Sequence, residues 1–155
     1  MITGKLVGKI LRVVRTTIPI LGVLVLVGFT SCDKDASDLA SFDAGKMVQS
    51  YYKAINDGHT AKAQSYIAAG EQWMLDCTED LVSLMAGKIQ KVEVLDTIRS
   101  EGFMGGPPSI GVYARITCDE GVPTTARSCS YGGTCGNRQI LMHKFDSGWK
   151  ITGIG

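Results

Sequence analysis

The sequence predicts an α+β domain: helices first, then an antiparallel sheet of about four strands with the helices on one of its faces. Three observations carry this. Apolar residues recur at helical spacing between Asp43 and Ala86, the period changes to two from Lys88 onward, and turn residues separate the later runs at hairpin spacing. Helical segments followed by strands, without alternation, are the order of an α+β domain rather than of a parallel α/β sheet.

The elements follow in order. Asp43 caps a first helix in which Met47, Val48, Tyr51 and Ile55 share a face, and Asn56-Asp57-Gly58 stops it. A second helix is expected from Thr60 to Ala69, with Ala63, Tyr66 and Ile67 inward and Gly70 ending it. A third runs from Glu71 to Ala86, with Trp73, Cys77, Leu81, Leu84 and Met85 on one stripe before Gly87. In the first strand Val92, Val94, Asp96 and Ile98 alternate with Lys91, Glu93 and Leu95. The second, Ile110 to Cys118, puts Ile110, Val112, Ala114, Ile116 and Cys118 on one face and Tyr113, Arg115 and Thr117 on the other. Tyr113 and Arg115 line a surface groove if a partner covers that face, and a solvated sheet face explains them equally well. Arg138 to Asp146 and Trp149 to Ile154 form a terminal hairpin. With three residues in its loop, Leu141, His143, Phe145, Trp149 and Ile151 share one face.

Residues 1–31 read as an export signal. Lys5, Lys9, Arg12 and Arg15 precede the apolar run from Ile18 to Phe29, and no acidic residue occurs before Asp33. That run is shorter than the roughly 20 residues a membrane-spanning helix needs. Phe29-Thr30-Ser31-Cys32 then resembles the lipobox at which a lipoprotein signal is cut before a lipid-modified cysteine, with Phe29 in place of the usual Leu. An uncleaved anchor, or a secretory signal with an incidental cysteine, is the competing reading. On the lipobox reading Cys32 carries the lipid, residues 32–42 are a polar tether, and 43–155 form one domain. The location is the bacterial cell envelope, with the membrane reached through lipid. Without the first 31 residues the chain holds 12 Lys and Arg against 15 Asp and Glu, a formal charge of −3. This speaks against a nucleic-acid partner.

Four further cysteines, Cys77, Cys118, Cys129 and Cys135, make an even count that favours disulfides in an exported chain. Their spacings do not match a zinc site, and no metal or cofactor is expected. Cys129 and Cys135 lie in the long connection 119–137 and close a small ring, while Cys77 and Cys118 both sit on apolar faces. The expected bridges are therefore Cys77–Cys118 and Cys129–Cys135. A free buried Cys77, with Cys118 paired to Cys129 or Cys135, is the alternative.

The segments Met47-Val-Gln-Ser-Tyr-Tyr-Lys-Ala-Ile-Asn-Asp-Gly-His, Ala63-Gln-Ser-Tyr-Ile, Lys88-Ile-Gln-Lys-Val-Glu-Val-Leu and Gly148-Trp-Lys-Ile resemble small bacterial lipoproteins of unknown function with a nuclear-transport-factor-2-like domain. The resemblance spans about residues 43–154 and leaves out the cysteine-bearing loop. It implies a cone in which a curved antiparallel sheet holds the N-terminal helices in its concave face. A cone cavity would take a small apolar ligand, lined by His143, Phe145, Trp149 and Tyr51. The expected function is non-enzymatic binding of such a ligand or of an envelope protein. The alternative is an isomerase- or dehydratase-like enzyme in which His143 acts with Asp96 or a tyrosine as acid and base. No nucleophile triad, phosphate loop or dinucleotide motif is present.

Overall fold

The computed structural model describes residues 37–102, 106–129 and 133–155. The residues expected to form an export signal, 1–31, and Cys32 lie outside the described residues. Residues 37–41 form a helical turn in which the Ser41 hydroxyl donates to the Asp38 carbonyl at 3.4 Å. Residues Phe42–Gly155 make up one compact unit of three helices and four strands. In chain order these are α1 (Ala44–Asn56), α2 (Thr60–Gln64), α3 (Gln72–Met85), β1 (Ile89–Ser100), β2 (Ser109–Cys118), β3 (Gly136–Phe145) and β4 (Gly148–Ile154). The strands form an antiparallel sheet in sequential order, and the helices pack against it.

The first helix forms as its residues dictate. The Asp43 carboxylate accepts from the Lys46 amide at 2.9 Å, satisfying one of the free donors of the first turn. At the other end the Gly58 amide donates to Ile55 and the His59 amide to Ala54. This paired closure needs a left-handed residue, which Gly58 supplies at φ +74°. Asn56 then pins the start of the sheet: its side-chain oxygen accepts from the Ile89 amide at 2.8 Å and its carbonyl from the Gly87 amide at 2.7 Å.

The second helix is shorter than its pattern suggests. It stops at Gln64, because Ile67 leaves the helical path and bridges to Ile151 of β4 in parallel. The Ala68 amide donates to the Ile151 carbonyl and the Ile151 amide to Tyr66, so sheet pairing outcompetes another helical turn. In α3 the buried stripe is Met74, Cys77, Thr78, Leu81, Val82 and Met85. Trp73, expected inward, is 38% exposed and donates to Glu71 at 2.8 Å. The stripe is rotated by about one residue, which puts the slimmer Met74 in the core.

The sheet departs from its expected faces at two irregularities. Between Val94 and Asp96 the β1–β2 register shifts, so Leu95 is the extra residue; beyond it Thr97 and Arg99 take the inner side while Asp96 and Ile98 turn outward. At the terminal hairpin Phe145 pairs with Gly148 and Lys144 with Trp149, and a second shift follows between Leu141 and Met142. The inner face of β3 is therefore Ile140 and Met142, opposite Ile154 and Ile151, and not Leu141, His143 and Phe145. β2 alternates as expected, with Ile110, Val112, Ala114 and Ile116 almost wholly buried.

Candidate functional site

The interior is packed where a cone cavity would lie. Tyr51, Tyr52, Met74, Met85, Ile110 and Met142 are all fully buried between helices and sheet. Tyr51, expected to touch a ligand, is edge-on to Tyr52 and Tyr66, with centroids at 5.1 and 6.4 Å. The Thr78 hydroxyl donates its one hydrogen to the Met74 carbonyl at 2.7 Å, so the Tyr51 hydroxyl donates to Thr78 at 3.0 Å. Burial, with Tyr52 alongside, pushes the Tyr51 phenol far above its ordinary value; burial does the same to Tyr52 against a small opposing pull from Arg138. Both are neutral packing groups.

Trp149 is buried and stacks on Phe42 at 5.1 Å with the rings 14° apart. Phe145 points outward and is exposed. His143 lies on the outer face of the sheet, where its Nδ1 shares a 2.8 Å hydrogen bond with the Thr152 hydroxyl. Asp96 is exposed at the β1 irregularity and accepts from the adjacent Thr97 amide at 2.7 Å. The register sets Asp96 beside Tyr113 and Gln139, whereas Ser109 stands beside His143. The two candidates are thus two strands and four residues apart, about 13 Å along the strand direction alone. The structure does not bring the proposed acid and base together.

The bridges are Cys77–Cys129 and Cys118–Cys135, with Cα separations of 4.8 and 6.1 Å, in place of the expected Cys77–Cys118 and Cys129–Cys135. β2 and β3 pair up to Ile116 and Gly136, which brings Cys118 and Cys135 together at the base of the long loop. The loop then reaches back over α3, where Cys129 meets Cys77. The Ser128 amide donates to Asp80 at 2.8 Å, and the Ser128 side chain and amide together, aided by Arg127, hold the Asp80 carboxyl below its ordinary value. Arg138 braces the other limb, donating to the carbonyls of Gly133, Cys135 and Asn137. A Cβ at Gly133 would overlap this guanidinium and the Thr124 carbonyl, so the brace requires glycine there. The loop is a stapled part of the framework.

Apolar chemistry appears instead on the outer face of the sheet. Ile98 is 55% and Leu141 37% exposed, with Leu95, Tyr113 and Phe145 also exposed there. A shallow recess of about 240 Å³ opens among Leu95, Tyr113, Asn137 and Gln139. Further grooves, of about 180 to 450 Å³, also open on the surface, between α1 and β1 and beside α2. Among the described residues no three His, Cys, Asp or Glu side chains converge on one point. Sequence reasoning singled out Tyr113 for this face but set Ile98 on one face with Val92 and Val94, and Leu141 on one face with Trp149 and Ile151.

No family model, curated protein or solved structure matches the chain.

Proposed function

We propose that the chain is a lipid-anchored protein of the bacterial cell envelope, and that its domain, nuclear-transport-factor-2-like with the helices in the concave face of the sheet, binds a protein partner through the outer face. The observation that carries the binding reading is the contrast between a filled interior and an exposed apolar sheet face bearing Ile98, Leu141, Tyr113 and Phe145. Apolar side chains gathered on one solvent face mark interaction surfaces more often than a filled core marks a ligand site. The Phe29-Thr30-Ser31-Cys32 run supports the anchor, and two disulfides suit an oxidising compartment. Among the described residues no helix is long and apolar enough to cross a membrane.

Two measurements test this. Cys32→Ser should release the protein from the membrane fraction or leave it unprocessed; unchanged mass and membrane association would refute the anchor. A photoreactive phenylalanine at Tyr113 should form adducts in cells where the same group at Glu79, on the exposed side of α3, forms none. Equal labelling at both positions, or none at either, refutes the binding face.

A further inference from the structure

Charge is sorted by helix in this domain. Phe42–Gly155 carries 11 Lys and Arg against 12 Asp and Glu, so the unit as a whole is close to neutral. Glu71 and α3 nevertheless hold Asp76, Glu79 and Asp80 with no Lys or Arg among them. The exposed side of α1 has the opposite sign. Lys46, Gln49 and Lys53 follow one another at three and four residues, which places them on one helix face, and all three are exposed. Grooves border this face on both sides. One of about 450 Å³ joins Lys46 to Arg99 of β1, one of about 180 Å³ joins Lys53 to Lys91, and Gln49 lines both. A third, of about 280 Å³, joins Lys53 to Lys62 of α2. Lys53 is paired with Asp57 at 2.7 Å and Lys91 with Glu93 at 3.2 Å. Among the described residues no carboxylate pairs with Lys46, Arg99 or Lys62, and the nearby Asp43 is turned onto the Lys46 amide. The strip therefore carries uncompensated positive charge.

We propose that this strip is the side on which the domain rests against the bilayer, with anionic phospholipid headgroups held by Lys46, Arg99 and Lys62, an inference that rests on the lipid anchor at Cys32 proposed above. The strip begins where the chain enters the domain. An Arg99 nitrogen donates to the Phe42 carbonyl at 3.0 Å, and Asp43 and Ala44 line the same groove as Lys46 and Arg99. Ten residues separate Cys32 from Phe42. Even fully extended they reach at most about 36 Å, so an anchored chain keeps this end of the domain near the headgroups. Tethering makes the contact intramolecular in effect, and a weak attraction then suffices to set orientation. Each Lys or Arg close to an anionic membrane surface contributes about fivefold to such a contact, within about one Debye length. The acids favour the same orientation. Tyr51 projects from the opposite side of α1 and meets Thr78 of α3 at 3.0 Å, so α3 and its carboxylates lie behind α1 as seen from the strip. Attraction of the strip and repulsion of α3 therefore act together.

The test uses the lipid-carrying chain floated with vesicles of phosphatidylcholine, with or without phosphatidylglycerol. A photoreactive phenylalanine at Gln49 should give an adduct one lipid heavier than the chain when phosphatidylglycerol is present. In phosphatidylcholine alone, or at high salt, the yield should fall about fivefold or more. The same group at Glu79 should capture no lipid. Lys46→Gln together with Arg99→Gln should cut the Gln49 adduct about tenfold or more, whereas Lys46→Arg, which keeps the charge, should leave it unchanged. Formation of both disulfides in each variant separates a lost contact from a lost fold. Three results overturn the orientation and leave the anchor standing: floating chains with no lipid on Gln49, equal yields in the two kinds of vesicle, or equal yields at Gln49 and Glu79. Chains that do not float overturn the anchor, and the orientation with it.

Discussion

Asp80 of α3 accepts the backbone amide of Ser128 at 2.8 Å, immediately before Cys129, whose sulfur is bonded to Cys77 one turn earlier on the same helix. The Ser128 side chain and amide together hold the Asp80 carboxyl below its ordinary value. A carboxylate favoured in the folded state stabilises above its unfolded value, near 4, and that contribution is lost as pH falls through the lower folded value. Protection of the Ser128 amide against hydrogen exchange, corrected for intrinsic rate, should therefore be constant at neutral pH and fall below about pH 4. Asp80→Ala should raise its exchange about fivefold at neutral pH, the equivalent of one hydrogen bond of about 1 kcal/mol. Unchanged exchange in the variant would show that the carboxylate does not hold the loop.

The two disulfides should contribute unequally. Cys77–Cys129 spans 52 residues and Cys118–Cys135 spans 17. Loop-closure entropy makes them worth up to about 4 and about 3 kcal/mol respectively. Replacing each pair by alanine and titrating with guanidinium should give the larger loss for the longer link. Peptide mapping without reduction should join Cys77 to Cys129 and Cys118 to Cys135; a Cys77-to-Cys118 peptide would overturn the connectivity.

The Tyr51–Thr78 pair should show an asymmetry. Tyr51→Phe removes a donor and leaves Thr78 still bonded to Met74, at a cost of about 1 kcal/mol. Thr78→Val strands the buried Tyr51 hydroxyl and should cost about 1–3 kcal/mol, part of which is regained in the double variant. Equal and additive losses would mean that the hydrogen bond carries no coupling. Because burial raises the Tyr51 and Tyr52 phenols, their contribution is whole below the ordinary phenol value near 10 and is lost as pH rises beyond it. Wild-type stability should therefore fall above about pH 10 and fall less in Tyr51→Phe.

Phe42 covers Trp149 at the start of the domain. Phe42→Ala should cost about 1–2 kcal/mol and move tryptophan emission to longer wavelength as the indole meets water. Emission that stays put would place the stack outside the stabilising core.

The residues that local chemistry governs were legible in the chain. Asp43 and Gly58 bound α1 because a cap and a left-handed closure are decided within one turn. The strict alternation from Ile110 to Ile116 buries one face of β2 for the same reason: each choice is local. The residues on which a site depends were not legible. Ile140-Leu141-Met142 are consecutive apolar residues, so period two fits either face of β3. Only the pairing with β2 turns Ile140 and Met142 inward and leaves His143 outside. Asp96 faces outward because Leu95 is inserted into the ladder, which follows from the partner strand and not from Asp96 itself. The cysteines were countable but not pairable, since their partners depend on where β2 and β3 end and on how the loop crosses α3. By itself, then, the sequence determined the helices-then-strands order and the number of cysteines, because helix, turn and strand preferences act over a few residues. Register, the facing of β3 and the disulfide partners were decided only in the tertiary structure, where each depends on contacts between residues far apart in the chain.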